Sequence, residues 1–98
     1  MSLPYEPQGQ ELEMAARRLD YLDAALRAAE RRTEVSRVIG DAADSDAARR
    51  AIVELLGIPA ERAEDVMDLR LRRLTQASVT EMLVERADIV ARCGDPRD

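Results

Sequence analysis

The sequence predicts an all-α protein, and three observations support that fold class. The 98-residue chain contains no Phe and no Trp, so aliphatic residues and alanine supply nearly all of its 46% hydrophobic content. Such side chains favour helices that pack closely against one another. Apolar residues recur at spacings of three and four, and capping residues, Gly and Pro divide that pattern into segments. We therefore expect a single helical domain at residues 10–94, a flexible tail at 1–9 and a flexible C-terminus at 95–98.

The first predicted helix begins near Gln10, after a tail that contains two prolines and a glycine. Its apolar seam consists of Leu12, Ala15, Leu19, Leu22, Leu26 and Ala29. The seam covers about two and a half heptads, which is short for a coiled coil. Further apolar residues extend the helix until Gly40 stops it. The pattern predicts one long amphipathic helix followed by three shorter ones.

The second and third predicted helices have clear start and stop signals. Asp44 or Ser45 starts the second helix as its capping residue, and Gly57 ends it. Pro59 is well suited to the first position of the third helix, because its missing N–H group is not needed there. We expect this helix to continue to about Leu74.

The fourth predicted helix follows an S-x-x-E capping box formed by Ser78 and Glu81. Its apolar positions are Val79, Met82, Leu83, Ala87 and Val90. Gly94 and Pro96 end it, because neither residue continues a helix well.

The segment DLRLRRLT, residues 68–75, threads three arginines through three leucines. A short strand is the minor interpretation, since the alternation fails at Arg73. On the third helix the apolar stripe is formed by Ala63, Val66, Met67, Leu71 and Leu74. At about 100° per residue, Arg70 lies in the middle of that stripe and Leu69 lies well outside it. Because an unpaired buried guanidinium is costly, Arg70 must reach solvent or meet a carboxylate.

Arg86 occupies a similar position within the apolar stripe of the fourth helix. Both arginines either lie at the edge of the core with their charges in water, or belong to a second apolar surface that contacts a partner. In the second interpretation Leu69 contacts the partner and Arg70 pairs with a facing acid. The candidate acids, in this chain or in another copy, are Asp20, Asp23 and Asp68.

The residue types give little support for catalysis, cofactor binding or metal binding. The chain has no His, no Lys, no Gly-rich loop and a single cysteine, Cys93, so the usual arrangements of nucleophile, base and phosphate-binding loop are missing. The acidic group Glu61, Glu64, Asp65 and Asp68 is better explained by the positive end of the third helix than by a cation. We therefore predict no catalytic, cofactor-binding or metal-binding residues.

Charge and hydropathy limit the partners. The net charge of −5 argues against a general nucleic-acid binder. On a helix, Arg70 and Arg72 would lie about 200° apart, so the arginines near position 70 and Arg62 would form no single stripe. No apolar run is long enough for a membrane span, and the N-terminus lacks the apolar core of a signal peptide. We expect a cytoplasmic protein without a membrane partner.

Several segments resemble the A subunit of bacterial type IIA topoisomerases, DNA gyrase and topoisomerase IV. The run AEDVMDLRLRRLT at 63–75 is similar to a family pattern close to AILDMRLxRLTGLE. YLDAALRAAERRTEVSRVI at 21–39 and SVTEMLVERADI at 78–89 resemble helices on either side of it in the family. The similarity covers roughly residues 17–90, although Gln76 replaces the usual Gly after Leu-Thr.

In that family the corresponding region is the far end of the coiled-coil tower, a helical knob that pairs with its twofold mate to form the exit gate. The resemblance therefore implies a homodimer, with gyrase subunits as a further partner and no catalysis, since Tyr5 and Tyr21 match no strand-cleaving motif. The implied dimer-interface residues are Val66, Leu69, Arg70, Arg73, Leu74 and Thr75. Two alternatives remain open, namely a DNA-binding accessory that uses the arginines and an adaptor that captures another protein's helix.

Overall fold

The computed structural model describes residues 7–97, and within that range it is all helical, as the sequence predicts. The helices are α1 (Gly9–Glu30), α2 (Arg32–Asp41), α3 (Ser45–Leu56), α4 (Ala60–Met67), a 3-10 helix (Leu71–Leu74) and α5 (Gln76–Cys93). The start of α5 lies beside the end of α1 and its last turn beside the first turns of α1, so the two helices are antiparallel. Most of the predicted tail lies outside the described residues. No helix in the described range is long and apolar enough to cross a membrane.

The predicted long first helix is broken at Arg31, so the prediction of one continuous helix to Gly40 is wrong. The backbone of Arg31 has φ −118° and ψ 37°, which is not helical. Its guanidinium donates a hydrogen bond of 2.7 Å to the carbonyl of Leu55, in the last turn of α3, and also bonds Glu34. This contact with α3 is made by the residue at which the helix is interrupted. Gly40 lies within α2, which ends one residue later at Asp41.

The boundaries of α3 agree with the sequence prediction. Asp44 is the N-cap, and its carboxylate accepts a hydrogen bond of 2.8 Å from the backbone N–H of Ala47. Gly57 ends the helix with φ 65°, a left-handed conformation that glycine adopts without a steric penalty. Pro59 is the N-cap of α4 rather than its first residue.

The third predicted helix ends at Met67, seven residues before the predicted end at Leu74. Residues 68–70 form a turn, and the 3-10 helix then leads into α5. The predicted capping box is also wrong, because Thr75 is the N-cap of α5 and its hydroxyl accepts a hydrogen bond of 3.2 Å from the N–H of Ser78. The helix thus begins one turn earlier than the S-x-x-E pattern indicates. Gly94 follows its last residue, as predicted.

The core consists of two clusters of buried side chains, named here the head cluster and the stem cluster. The head cluster joins α1 to α2, α3 and α4 and contains Ala24, Ala28, Val35, Ile52, Leu56, Ile58, Ala63 and Val66. The stem cluster joins α1 to α5 and contains Ala15, Leu19, Leu22, Ala25, Met82 and Ile89. Leu69, in the turn after α4, packs against both clusters. The start of the DLRLRRLT segment therefore lies where the head cluster and the stem cluster meet.

Candidate interaction surface

A network of hydrogen bonds holds the backbone of residues 70–78 in place. The N–H of Arg73 donates to the carbonyl of Arg70 at 2.9 Å, which closes the 3-10 turn. The carbonyl of Arg72 accepts hydrogen bonds from the hydroxyls of Thr75 and Ser78, each at 3.0 Å, and from the N–H of Thr75 at 3.3 Å. The side chains on this segment are therefore carried by an ordered turn.

The six predicted interface residues differ widely in exposure. Val66 is only 6% exposed and belongs to the head cluster, so it offers little surface to a partner. Leu69, Arg73 and Leu74 are half-buried, whereas Arg70 and Thr75 are exposed. Sequence reasoning missed Leu71, which is 83% exposed. It assigned Leu71 to the core because it continued the helical period past the end of α4.

An apolar cleft lies beside Leu71. Its volume is about 250 Å³, and it lies between α1, α2 and the segment that follows α4. It is lined by Ala28, Arg32, Val35, Ser36, Ile39, Val66, Met67, Leu69, Leu71 and Leu74. This volume is below the range of typical ligand pockets, so the cleft suits a side chain of a partner better than a whole helix or a cofactor.

A second cleft on this segment is lined by arginine and is named here the arginine cleft. It has a volume of about 410 Å³, and its lining is Tyr21, Asp68, Leu69, Arg70, Arg72 and Arg73. A continuous helix would have scattered these arginines, but the end of α4 and the 3-10 turn place them around one cleft. None of the three arginines forms an ion pair with residues 7–97.

None of the carboxylates suggested as partners of Arg70 forms an ion pair with it in the described part of the chain, although Asp68 lines the same cleft. Asp23 accepts a hydrogen bond of 2.7 Å from Arg86, which explains how Arg86 is accommodated in the apolar stripe of α5. Arg97 lies 3.0 Å from Asp20 and 2.9 Å from Asp23. The C-terminal segment, expected to be flexible, is thus tied back to α1 as far as Arg97.

Three acidic residues of α4, Glu61, Glu64 and Asp65, lie near arginines, whereas Asp68 forms no ion pair with residues 7–97. Arg62 lies 3.2 Å from Asp65, and Arg49 of α3 lies 3.0 Å from Glu64. Among the described residues no three acidic or cysteine side chains are grouped so that they could hold a metal ion. Cys93 is a free, half-buried thiol at the edge of the stem cluster.

The ion pairs that join α1 to α5 and the C-terminal segment lower the pKa of several carboxyl groups. Burial raises the pKa of Asp23, but hydrogen bonds from Arg86 and Arg97 outweigh it, so the net pKa is lowered. The hydrogen bond from Arg18 lowers the pKa of Glu85. The side-chain hydrogen bond from Arg97 lowers the pKa of Asp95 to about 2.

These pKa shifts predict that the folded protein loses stability in acid, because the ion pairs of Asp23, Glu85 and Asp95 are lost when the carboxylates are protonated. Because each pKa is lower in the folded than in the unfolded chain, the stabilisation is complete above the unfolded values near 4 and is lost as the pH falls toward about 2. We expect urea midpoints to decrease over this interval, and Arg97→Gln to flatten the decrease. Arg92→Gln is the matched control, since Arg92 is exposed and makes no ion pair with the described residues. An identical pH profile for Arg97→Gln and the unchanged protein would contradict this assignment.

Comparison with known proteins supports a relationship to the DNA gyrase A subunit. No family model matches the chain. The DNA gyrase A subunit of Thermotoga maritima is 28% identical over 88 residues, which are 90% of this chain. The same stretch is only 11% of that relative, so the chain spans about one ninth of its length. The chain is therefore similar to a small part of a DNA gyrase A subunit.

Proposed function

We propose that this chain is a non-catalytic module that pairs with a second copy of itself, as the exit-gate end of DNA gyrase and topoisomerase IV does. The exposure of Leu71 carries the proposal. Leu71 is 83% exposed and borders the apolar cleft, so the leucine and the cleft together form one apolar surface on an ordered turn, of the kind that a partner buries. The similarity to the DNA gyrase A subunit supports a role in self-association.

The physical case for a dimer rests on symmetry. In a twofold interface every contact is made twice, so burying Leu71 contributes about 1.5–3 kcal/mol from each protomer. Val84 of α5 is 55% exposed and offers further apolar area on the helix that follows this turn. The rest of the molecule has few large apolar side chains in its core, and a small domain of this kind gains from association.

We further propose that this module modulates gyrase by binding to the gyrase A subunit in place of that subunit's own second copy. The basis is the 28% identity with a gyrase subunit over 90% of the chain. The test is supercoiling by purified gyrase with and without an excess of this protein. An unchanged rate of supercoiling, together with no co-purification of gyrase subunits, would remove this part of the proposal and leave self-association untouched.

Leu71→Asp should convert the dimer to a monomer without changing the fold. The unchanged protein should sediment at twice the monomer mass at tens of micromolar, and the variant at the monomer mass. Since Leu71 is exposed, the variant should keep its helical circular dichroism, and its thermal midpoint should equal that of the unchanged protein at concentrations where both are monomeric.

Met14→Asp is the matched control, because Met14 is 56% exposed but lies near the other end of α1. This variant should remain dimeric. A monomeric unchanged protein, or a Leu71→Asp variant that still sediments as a dimer, would refute pairing through this surface.

A further inference from the structure

An unpartnered acidic stripe runs along the outer side of α5. Glu81, Val84 and Asp88 are all exposed, and their spacing of three and four residues places them on one face of the helix. Neither carboxylate forms an ion pair with residues 7–97. The two acids are separated by about 10 Å along the helix axis, at 1.5 Å per residue, with an exposed valine between them.

The turn before α5 carries the opposite pattern. Arg70, Leu71 and Arg72 are all exposed, and they place an apolar side chain between two arginines in the sequence. The two arginines line the arginine cleft together with Arg73. Leu71 itself lines the neighbouring apolar cleft rather than the arginine cleft, so the match between the basic surface and the acidic stripe is one of charge.

A chain of contacts connects the two surfaces along one side of the molecule. Glu85 shares a face of α5 with Glu81, and Arg18 of α1 donates a hydrogen bond of 2.9 Å to it. The guanidinium of Arg18 lies 5.0 Å from the ring centroid of Tyr21, and Tyr21 in turn lines the arginine cleft. A twofold interface requires this arrangement, because each surface of one copy must meet the opposite surface of the other.

We infer that the arginine cleft binds the acidic stripe of a second copy of this chain, so that two symmetry-related contacts orient the dimer. The inference rests on the proposed self-association and adds the residues that determine its geometry. Arginine suits this role because its planar guanidinium can bind a carboxylate through two parallel hydrogen bonds. A second copy is favoured over nucleic acid, because the cleft adjoins an exposed leucine and the chain carries a net charge of −5.

The test uses two charge-reversal variants of the full chain. The first is Arg70→Glu with Arg72→Glu, and the second is Glu81→Arg with Asp88→Arg. Each variant alone places like charges opposite one another at both contacts, so its dimer dissociation constant should rise by about 100-fold. In an equimolar mixture each reversed surface meets the other reversed surface. The mixture should therefore recover a heterodimer with an affinity close to that of the unchanged protein, measured by sedimentation and by native mass spectrometry.

The control variant replaces two other exposed arginines, Arg37 of α2 and Arg50 of α3, by glutamate. This variant should remain dimeric, and circular dichroism should show that all variants keep their helical content. If either charge-reversal variant dimerises as tightly as the unchanged protein, or if the mixture stays monomeric, the inference is overturned while self-association through Leu71 stands. A monomeric unchanged protein overturns both. Binding of a DNA oligonucleotide that requires Arg70 and Arg72, with both variants still dimeric, would assign the cleft to nucleic acid and overturn the inference.

Discussion

Replacing Ile52 by alanine should lower the free energy of unfolding by about 2–5 kcal/mol. Ile52 is completely buried in the head cluster, and it is one of the few large side chains there. Several of its neighbours in the cluster are alanines, whose side chains cannot extend to fill a cavity. We therefore expect little relaxation around the missing atoms. For a domain whose total stability is about 5–15 kcal/mol, this loss is severe.

Urea unfolding followed by circular dichroism measures this effect directly. Leu83→Ala is the control, because Leu83 is 52% exposed and its truncation should cost less than about 0.5 kcal/mol. Hydrogen exchange should show the largest loss of protection for Ile52→Ala in α3 and α4. A cost below about 1 kcal/mol for this variant would indicate that the head cluster is loosely packed, contrary to the structure.

The parts of the fold that could be predicted from the sequence are those determined by local signals. Asp44 and Gly57 bound α3 because a cap carboxylate and a left-handed glycine act on neighbouring backbone groups. The seam of the first helix correctly identified Leu19 and Leu22 as core residues, since both are completely buried in the stem cluster. The helical period of apolar residues and the capping residues were sufficient to predict the bounds of α3 and the buried side of α1.

The break between α1 and α2 could not be predicted in this way. The apolar period continues across Arg31, and no Gly or Pro stands at the break. Arg31 instead bonds a carbonyl of α3, a partner 24 residues away in the sequence. A tertiary contact therefore accompanies the interruption of a pattern that is helical throughout.

The candidate surface depends on a second error of the same kind. Continuing the helical period past Met67 placed Leu71 in the core and separated Arg70 from Arg72. Because α4 ends at Met67, Leu71 becomes the most exposed large apolar residue described, and the two arginines line one cleft. The segment was correctly singled out by its composition, but its conformation reverses which of its residues face solvent.

Leu69→Asp should destabilise the folded monomer by about 2–4 kcal/mol, unlike the substitution of Leu71. Leu69 is half-buried, and it packs against both the head cluster and the stem cluster. A carboxylate at this position must either lose its hydration or push the two clusters apart. Because Leu69 joins the two clusters, we expect the whole molecule to unfold at a lower urea concentration, and not only the helices of one cluster.

The comparison of Leu69→Asp with Leu71→Asp separates folding from association. The change of residue is the same and the two positions lie two residues apart, so differences in composition and net charge are removed. Leu69→Asp should lower the urea midpoint at concentrations where the protein is monomeric, whereas Leu71→Asp should leave it unchanged there and abolish the dimer. If Leu69→Asp keeps full monomer stability and only dissociates the dimer, then Leu69 is a contact residue, as the helical interpretation of the sequence held. The apolar junction between head and stem would in that case be weaker than its packing indicates.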